Sequence, residues 1–503
     1  MNLRPSGYEP DELPGCSIPR FTYGPLLSRR GGFLLTIYEK GKIFLEFFSA
    51  GLVLGLLVFA DSVSVLAMSS GSIGIGLAGV GTVGTGVVQT LAGNAELIAQ
   101  RTGGLKLHVA RALVRDLKRK RDVDLAPDKI TTDAAELVND PEVKIVVELI
   151  GGTTHAFDLV ASALKAGKPV VTGNKALLAE RGVELFKLSR ENSAPLHFEA
   201  AVAGGIPIIK AVQDSLIGNR IESMIGIING TSNYILQRMT EAGLQYPEAL
   251  KEAKDLGYAE ADETLDVNGW DAAHKAILLG TLAYGFPIDP QEVYVRGIEK
   301  VRPIDIEFAK NLGYVIKLLC VVRQTSTGAV EIRTQPSFIP KSHILASVHG
   351  VFNAVAVKGD KLGDSLFYGR GAGQDPTASS AVADIIEAAR GLNVQTGTRG
   401  FLPYADQGEL VPIEETKTAY YVRFDVTDRT GVVAEIATVM AKHGLGLSGT
   451  HSPTNPDDPD AEFCDMVFRI HTCTFGKLRD ALTEVEALDC VNARPVVFRI
   501  EAF

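Results

Sequence analysis

The feature that most constrains this fold is a glycine pattern near residue 80 of the 503-residue chain, Gly79-Val80-Gly81-Thr82-Val83-Gly84. An apolar, strand-like stretch (72–78) precedes the pattern, and a helix-like stretch (85–100) follows it. In that context the glycines permit a tight turn and let the backbone approach a pyrophosphate at the helix N-terminus. The pattern predicts a dinucleotide-binding Rossmann domain. A glycine-rich loop in another α/β fold is the alternative.

The next strand-like stretch (105–114) ends at Arg115 and Asp116. An acidic residue at this place often binds the ribose hydroxyls of NAD, whereas an arginine can bind the 2′-phosphate of NADP. Arg115 therefore favours NADP, and Asp116 leaves NAD open. The basic run at 118–121 is interpreted mainly as a solvated loop.

Two further apolar strands are predicted at 144–150 and 168–172, and the second runs into Gly173-Asn174-Lys175. Ligands bind beyond the carboxyl ends of the strands in doubly wound sheets. Lys175 is therefore expected beside cofactor and substrate, although a lysine at a strand end is also commonly solvated. A further strand is predicted at 196–203. It would bury Glu199, which then needs either a basic partner or a bound cation. The residues alone favour the basic partner.

The stretch 226–275 carries the strongest signs of chemistry. It opens with an Asn-Gly turn, Asn229-Gly230-Thr231-Ser232-Asn233, of a kind that can hold a small polar ligand. It ends with Asp271 and Lys275, four residues apart at the start of an apolar helical run. A lysine beside carboxylates in a cleft can pass a proton to a developing alkoxide. The alternative is a solvated surface pair.

A second glycine-rich helix entry follows at 368–377 and contains Gly373. We expect the helix from there to about residue 390 to return to the Rossmann domain and close over the cofactor. Residues 391–417 are rich in glycine, proline and threonine, as is typical of a linker. The remaining pattern predicts the order βαββαβ, a ferredoxin-like unit.

Composition limits the classes of protein. The net charge of −10 without a basic stripe argues against nucleic acid as the main partner. Five scattered cysteines favour reduced thiols in a cytoplasmic protein over disulfides or a zinc site. An apolar run at 43–60, interrupted by Glu46, is about the shortest length that could cross a bilayer. We favour the interpretation that residues 1–67 are an extension before a natural start at Met68, with no membrane partner. A membrane anchor is the alternative.

Over residues 73–503 the sequence resembles the homoserine dehydrogenases of the long type, which carry a C-terminal ACT domain. Five motifs carry the resemblance: the fingerprint at 79–84, Val171-Thr172-Gly173-Asn174-Lys175, Ala203-Gly204-Gly205-Ile206-Pro207, Asn229-Gly230-Thr231-Ser232-Asn233-Tyr234, and the stretch 265–275 that ends in Asp271-Ala272-Ala273-His274-Lys275. Residues 1–67 match nothing in the family pattern.

The resemblance implies interconversion of L-homoserine and L-aspartate 4-semialdehyde with NADP, or with NAD. It makes Lys275 the proton donor or acceptor, Asp271 a residue that lies against the substrate and orients Lys275, and Glu260 the partner of the substrate amino group. The implied cofactor-binding residues are Gly79, Gly81, Thr82, Val83, Gly84, Arg115, Lys175 and Gly373. A sodium ion is implied at Glu199 and the backbone carbonyls of Val202, Gly204 and Ile206, which replaces the basic partner favoured by the residues alone.

The implied architecture is α/β. A Rossmann-type doubly wound NAD(P) domain covers 68–200 with a return segment at 370–390. An α+β substrate-binding and dimerisation domain covers 201–369. A linker (391–417) and a ferredoxin-like ACT domain (418–503) follow. A homo-oligomer, dimer or tetramer, and threonine as effector are expected. A Rossmann reductase for another amino-acid aldehyde and a non-catalytic amino-acid sensor are the alternative functions.

Overall fold

The computed structural model describes residues 72–259, 262–392, 400–452 and 462–503, and it gives the backbone of three earlier strands. The chain divides into two units, 1–70 and 71–503. In the first unit, the strands form an antiparallel sheet in the order β1-β2-β3: β1 (Gly32–Tyr38), β2 (Lys42–Ser49) and β3 (Leu52–Gly55). Among the described residues, no helix combines the length and apolar character needed to cross a membrane.

The second unit begins with a six-stranded parallel sheet. Its strands are β4 (Ile73–Ala78), β5 (Leu107–Leu113), β6 (Ile130–Thr131), β7 (Val143–Glu148), β8 (Val170–Thr172) and β9 (Leu196–His197). The order is β6-β5-β4-β7-β8-β9, with every pairing parallel. This is the doubly wound order 3-2-1-4-5-6, so the predicted Rossmann-type fold is confirmed. The carboxyl ends of β4, β7 and β8 lie side by side, where the glycine pattern and Lys175 begin their helices.

The crossover helices of this layer are α1 (Thr82–Gly93), α2 (Ala95–Thr102), α3 (Ala134–Asn139), α4 (His155–Lys165) and α5 (Lys175–Glu191). The helix predicted at 85–100 starts three residues earlier, at Thr82, and is interrupted at Asn94. The side chain of Asn174 accepts the N–H of Leu177 and so caps α5. That cap fixes the direction in which the first residue of α5, Lys175, leaves the sheet.

The middle of the chain forms a mixed sheet with helices. Its strands are β10 (Ile221–Ile227), β11 (Tyr294–Val295), β12 (Tyr314–Gln324), β13 (Val330–Pro340), β14 (Phe352–Gly359) and β15 (Gly363–Arg370). The helices are α6 (Ile208–Lys210), α7 (Gly230–Ala242), α8 (Tyr246–Asp255), α9 (Thr264–Val267), α10 (Trp270–Tyr284), α11 (Pro303–Asn311) and α12 (Gln374–Gly391). Helix α10 is buried along nearly its whole length, and its residues from Ala276 onward are mostly apolar.

The last part of the chain has the predicted order βαββαβ. It comprises β16 (Lys417–Thr427), α13 (Val432–Lys442), β17 (Leu447–His451), β18 (Phe463–Thr474), α14 (Phe475–Val485) and β19 (Val496–Ile500). The strand order β19-β16-β18-β17 is ferredoxin-like. Strand β19 also pairs in parallel with β13, through Ser337 with Arg499 and Phe338 with Ile500. The C-terminal strands therefore continue the middle sheet.

The strand predicted at 196–203 is wrong beyond His197. Glu199, Ala200 and Ala201 form a 3-10 turn. Both carboxylate oxygens of Glu199 accept backbone N–H groups, from Ile209 at 2.9 Å and Lys210 at 2.8 Å. The chain turns at Glu199 because these bonds satisfy a buried carboxylate that an extended strand would leave without partners.

Residues 400–417, which fall in the predicted linker, pack against the rest of the second unit where the structure describes them. The ring of Phe401 is buried, with its centroid 5.6 Å from that of Phe186 and 6.2 Å from that of Phe198. Thr416 is buried and its hydroxyl accepts a hydrogen bond from Arg499 at 2.7 Å.

Candidate functional site

The centre of the site is the pair Asp271 and Lys275 on the first turns of α10. Their side chains are 2.7 Å apart, Nζ to Oδ2, as the spacing of four predicts. Both residues are 8% exposed. Lys275 Nζ also donates to the backbone carbonyl of Ile228 at 2.7 Å. The pair is therefore a buried, oriented ion pair, and the solvated surface pair is excluded.

Lys175 reaches the same carboxylate from the Rossmann sheet. Its Nζ lies 3.0 Å from Asp271 Oδ1, on the carboxylate oxygen that Lys275 does not use. One carboxylate thus holds two ammonium groups that come from different layers of the fold, α5 and α10. A lysine at a strand end and an ion pair at a helix start, far apart in sequence, thus meet at one carboxylate.

Asn229 completes this cluster, and the sequence argument did not single it out. Its Nδ2 donates to Asp271 Oδ2 at 2.9 Å and to Asp266 Oδ1 at 2.8 Å. Its Oδ1 accepts the N–H of Ser232 and so caps α7. The Asn-Gly turn was the available signal, but the turn alone could not show which carboxylates the amide meets.

Burial and the neighbouring charges shift the pKa values of Asp271 and Asp266 in opposite directions. Burial acts to raise the pKa of Asp271, but the ammonium groups of Lys275 and Lys175 outweigh it and hold that pKa below the ordinary value. Burial, followed by the neighbouring Asp271 carboxylate, raises the pKa of Asp266. Asp271 is consequently the group that stays ionised and keeps both lysines in place.

The fingerprint glycines have three different physical roles. Gly79 has a φ of +94°, and a Cβ there would lie 2.5 Å from the carbonyl oxygen of Leu149. A Cβ on Gly84 would lie 2.0 Å from the carbonyl oxygen of Gly79, so that glycine closes the turn. A Cβ on Gly81 would meet no atom within 4 Å, in front of the first residue of α1, Thr82. The space at Gly81 therefore fits a bound pyrophosphate, and Val83 follows within the first turn of α1.

Two domain models of known families match the chain. The model described as "Homoserine dehydrogenase, NAD binding domain" matches residues 79–199, and the model described as "Homoserine dehydrogenase" matches residues 207–386. A homoserine dehydrogenase of Pseudomonas aeruginosa is 42% identical over 432 residues, which cover 85% of this chain and 98% of that relative. The chain belongs to the homoserine dehydrogenase family.

Solved structures of homoserine dehydrogenases agree with this assignment. One from Thiobacillus denitrificans superposes with a TM-score of 0.77 at 39% identity, covering 86% of this chain and 98% of that one. A hyperthermophilic archaeal homoserine dehydrogenase in complex with NADPH gives a TM-score of 0.53 at 28% identity, covering 64% of this chain and 98% of that one. The chain is thus an oxidoreductase whose Rossmann domain takes a nicotinamide cofactor.

The remaining predicted site residues lie in three places. Arg115 is exposed after β5 and forms no hydrogen bond or ion pair with any described residue. Gly373 precedes α12 with a φ of +121°. Helix α12 returns to the Rossmann helix α1, since a Cβ on Gly86 would lie 2.9 Å from that of Ala378. Glu260 lies outside the described residues, between Ala259 and Asp262.

At the turn where the sequence resemblance implies a sodium ion, the potential ligand atoms are oxygens. Burial raises the pKa of Glu199 to about 7. The carbonyl of Gly204 accepts from Ser380 Oγ at 2.7 Å, and that of Ile206 accepts from the N–H of Ile208 at 2.8 Å. Each of these oxygens has a second lone pair. The set, with Val202, fits a hard cation chemically.

A second cluster beside this turn was missed by sequence reasoning. His197, Asp384 and Glu387 bring potential metal-ligand atoms within 4.8 Å of one another. Lys210 Nζ lies 2.6 Å from Glu387 and 3.3 Å from Asp384, so a protein cation already neutralises these carboxylates. Nothing in the sequence brings α12 to β9 and α6, because α12 lies far from both along the chain.

Proposed function

We propose that this chain interconverts L-homoserine and L-aspartate 4-semialdehyde with NADP or NAD, with Lys275 as the acid and base. The observation that supports this most is the cluster of Lys275, Lys175 and Asp271, in which Lys275 and Asp271 are buried. The bound nicotinamide supplies or accepts the hydride. In the direction of reduction, negative charge grows on the substrate oxygen, and Lys275 stabilises it and then donates the proton. In the direction of oxidation, Lys275 takes that proton. Loss of turnover on replacing Lys275 is the test of this assignment.

Asp271 is proposed to orient Lys275 rather than to react. Its Oδ2 fixes Lys275 at 2.7 Å and its Oδ1 fixes Lys175 at 3.0 Å. We assign Lys175 to the cofactor side of the site, because it is the first residue of α5 beyond β8, at the end of the sheet where doubly wound folds bind ligands.

Glu260 is proposed to hold the amino group of the substrate. Described residues on either side of Glu260 form hydrogen bonds with the Asn-Gly turn. Thr231 Oγ1 donates to the carbonyl of Tyr258 at 2.7 Å, and Ser232 Oγ donates to the carbonyl of Asp266 at 2.8 Å. These two bonds hold Tyr258 and Asp266 near the Asn-Gly turn, whose Asn229 contacts Asp271, and this supports the proposed role of Glu260.

NADP is proposed as the preferred cofactor, on the strength of the unpaired Arg115. A charge-assisted hydrogen bond contributes about 1.5–3 kcal/mol, so Arg115→Ala should raise the Michaelis constant for NADP roughly tenfold or more. The constant for NAD should change much less. Initial rates with each cofactor measure both. Arg119→Ala, in the nearby basic run at 118–121, is the control and should leave the ratio of the two constants unchanged. Equal losses for both cofactors in Arg115→Ala would mean that the residue has only a structural role.

We also propose a sodium ion at Glu199, Val202, Gly204 and Ile206, supported by a donor set that consists of oxygen atoms.

We propose the domain boundaries expected from the sequence for the extension, the catalytic parts, the linker and the C-terminal unit. A homo-oligomer of two or four copies is also proposed. The reaction would serve threonine, methionine and isoleucine biosynthesis in the cytoplasm.

The C-terminal unit is proposed to be an ACT domain that binds threonine at Asp428-Arg429-Thr430-Gly431. Its ferredoxin-like strand order and the exposed loop between β16 and α13 support this. Use of the domain only for subunit pairing is the alternative. An effector acts through a difference in affinity between two states of the enzyme.

L-Threonine is expected to inhibit the full chain at millimolar or lower concentration. Asp428→Asn should weaken the inhibition roughly tenfold, because it removes the charged partner of an amino group. A point variant is preferred to a deletion, because β19 pairs with β13 and Glu501 lies 2.8 Å from the fully buried Arg333. Asp480→Asn, on α14 of the same unit, is the control. Equal inhibition of Asp428→Asn and the wild type would place the effector site elsewhere, and absence of inhibition would favour the pairing role.

A further inference from the structure

Helix α7 connects the catalytic cluster to a second buried polar cluster. Asn229, its N-cap, contacts Asp271, and Asn233 follows four residues later. Residues four apart lie on one face of a helix. The Nδ2 of Asn233 donates to the carbonyls of Val348 at 3.2 Å and Gly350 at 2.8 Å. The first turn of α7 is therefore held at both ends by amide side chains.

Lys317 of β12 is the centre of this second cluster. The residue is 4% exposed, and its Nζ donates to Asn233 Oδ1 at 2.9 Å and to the carbonyl of Val348 at 2.6 Å. Among the described residues no carboxylate forms an ion pair with it. A buried ammonium group without a counter-ion is costly, and an apolar side chain of similar length would usually suit such a place better. Neither the fold nor the chemistry described above uses this charge.

We propose that Lys317 is a positioning residue for the reaction, which locks Asn233 and thereby holds the amide of Asn229 on Asp271. The inference rests on the proposed role of the Asp271 cluster. Lys317 donates a hydrogen bond to the only side-chain oxygen of Asn233. Both hydrogens of the Asn233 Nδ2 are then left for the carbonyls of Val348 and Gly350. With the amide fixed in this way, α7 cannot slide or rotate about its own axis without breaking three hydrogen bonds. Asn229 then keeps its two donors on Asp266 and Asp271, and Asp271 keeps Lys275 oriented.

The test is Lys317→Met, which keeps the length of the side chain and removes the charge. Small misplacements of reacting groups can cost up to about 100-fold in rate, so a turnover loss of roughly tenfold is expected. The Michaelis constant for the cofactor should stay near the wild-type value, because the fingerprint lies on the other sheet. Val321→Ala is the control. Val321 lies four residues further along β12 in an apolar cluster, so its variant should lose stability without a comparable loss of turnover.

A double-mutant cycle separates positioning from general destabilisation. Asn229→Ser keeps a helix cap and removes the amide donor. If Lys317 acts through Asn229, Lys317→Met should lower turnover less than about twofold in the Asn229→Ser background. The proposal would be overturned if the turnover losses of the two single variants multiply in the double variant. It would also be overturned if Lys317→Met keeps wild-type turnover.

A crystal structure of Lys317→Met gives a result that does not depend on activity. We expect Asn229 Nδ2 to leave hydrogen-bond distance of Asp271 Oδ2, which it now meets at 2.9 Å. If this hydrogen bond is unchanged in Lys317→Met, the proposal is overturned, whether or not the chain has homoserine-dependent activity. If the wild-type chain lacks that activity, only the proposed function is contradicted.

Discussion

Replacing Lys275 by alanine is expected to lower turnover roughly 100-fold or more, the contribution of a positioned acid or base. The residue is 8% exposed, and its side chain makes two hydrogen bonds, to Asp271 and to the carbonyl of Ile228. The variant leaves Asp271 paired with Lys175, so the carboxylate is not left as an isolated buried charge. The chain should therefore fold, and cofactor affinity should stay near the wild-type value. Steady-state rates measure the turnover, and a cofactor titration followed by fluorescence measures the affinity.

Lys187→Ala is the matched control. Lys187 is an exposed lysine on α5 whose nearest carboxylate, that of Glu191, lies 3.9 Å away. Exposed pairs of this kind contribute about 0–1 kcal/mol to stability. Its variant should show wild-type turnover. Full turnover in Lys275→Ala would remove the lysine from the chemistry.

Gly81→Ala is expected to weaken cofactor binding without disturbing the fold. A Cβ at this position meets no protein atom within 4 Å, and the backbone φ of −90° suits alanine. If a pyrophosphate approaches the backbone there, the methyl group occupies its place. Overpacking costs about 1–3 kcal/mol, which corresponds to binding that is weaker by roughly 5- to 150-fold. A cofactor titration and a thermal unfolding curve measure the two effects separately.

Gly93→Ala at the opposite end of the same helix is the control. It also has open space around its Cβ position. The two variants add the same atom to α1, and they differ only in which end of the helix receives it. Cofactor affinity should fall in Gly81→Ala alone. Unchanged affinity in both variants would contradict a pyrophosphate at the N-terminus of α1.

The Rossmann half could be predicted from sequence because its signals are local. The glycine pattern, the apolar strand before it and the helix after it occupy one short stretch of chain. Likewise, Asp271 and Lys275 could be placed on one face because the helical repeat alone sets that geometry. Parallel strands then place their carboxyl ends at one edge, which brings Lys175 to the site.

The contacts that could not be predicted are long-range ones. Glu199 ends a strand because two backbone N–H groups ten and eleven residues later satisfy it, and an apolar pattern carries no sign of that. The partners of Asn229 lie about forty residues away, and Lys317 meets Asn233 across 84 residues. The pairing of β19 with β13 likewise depends on how two separately recognisable units meet.

Absorbance at 340 nm tests the central claim most directly. The full chain is mixed with L-homoserine and NADP, and then with L-homoserine and NAD, with cofactor-only mixtures as blanks. The account predicts a homoserine-dependent rise with at least one cofactor, faster with NADP, that is roughly 100-fold slower in Lys275→Ala. A folded wild-type chain that binds NADP but gives no homoserine-dependent rise with either cofactor would contradict it.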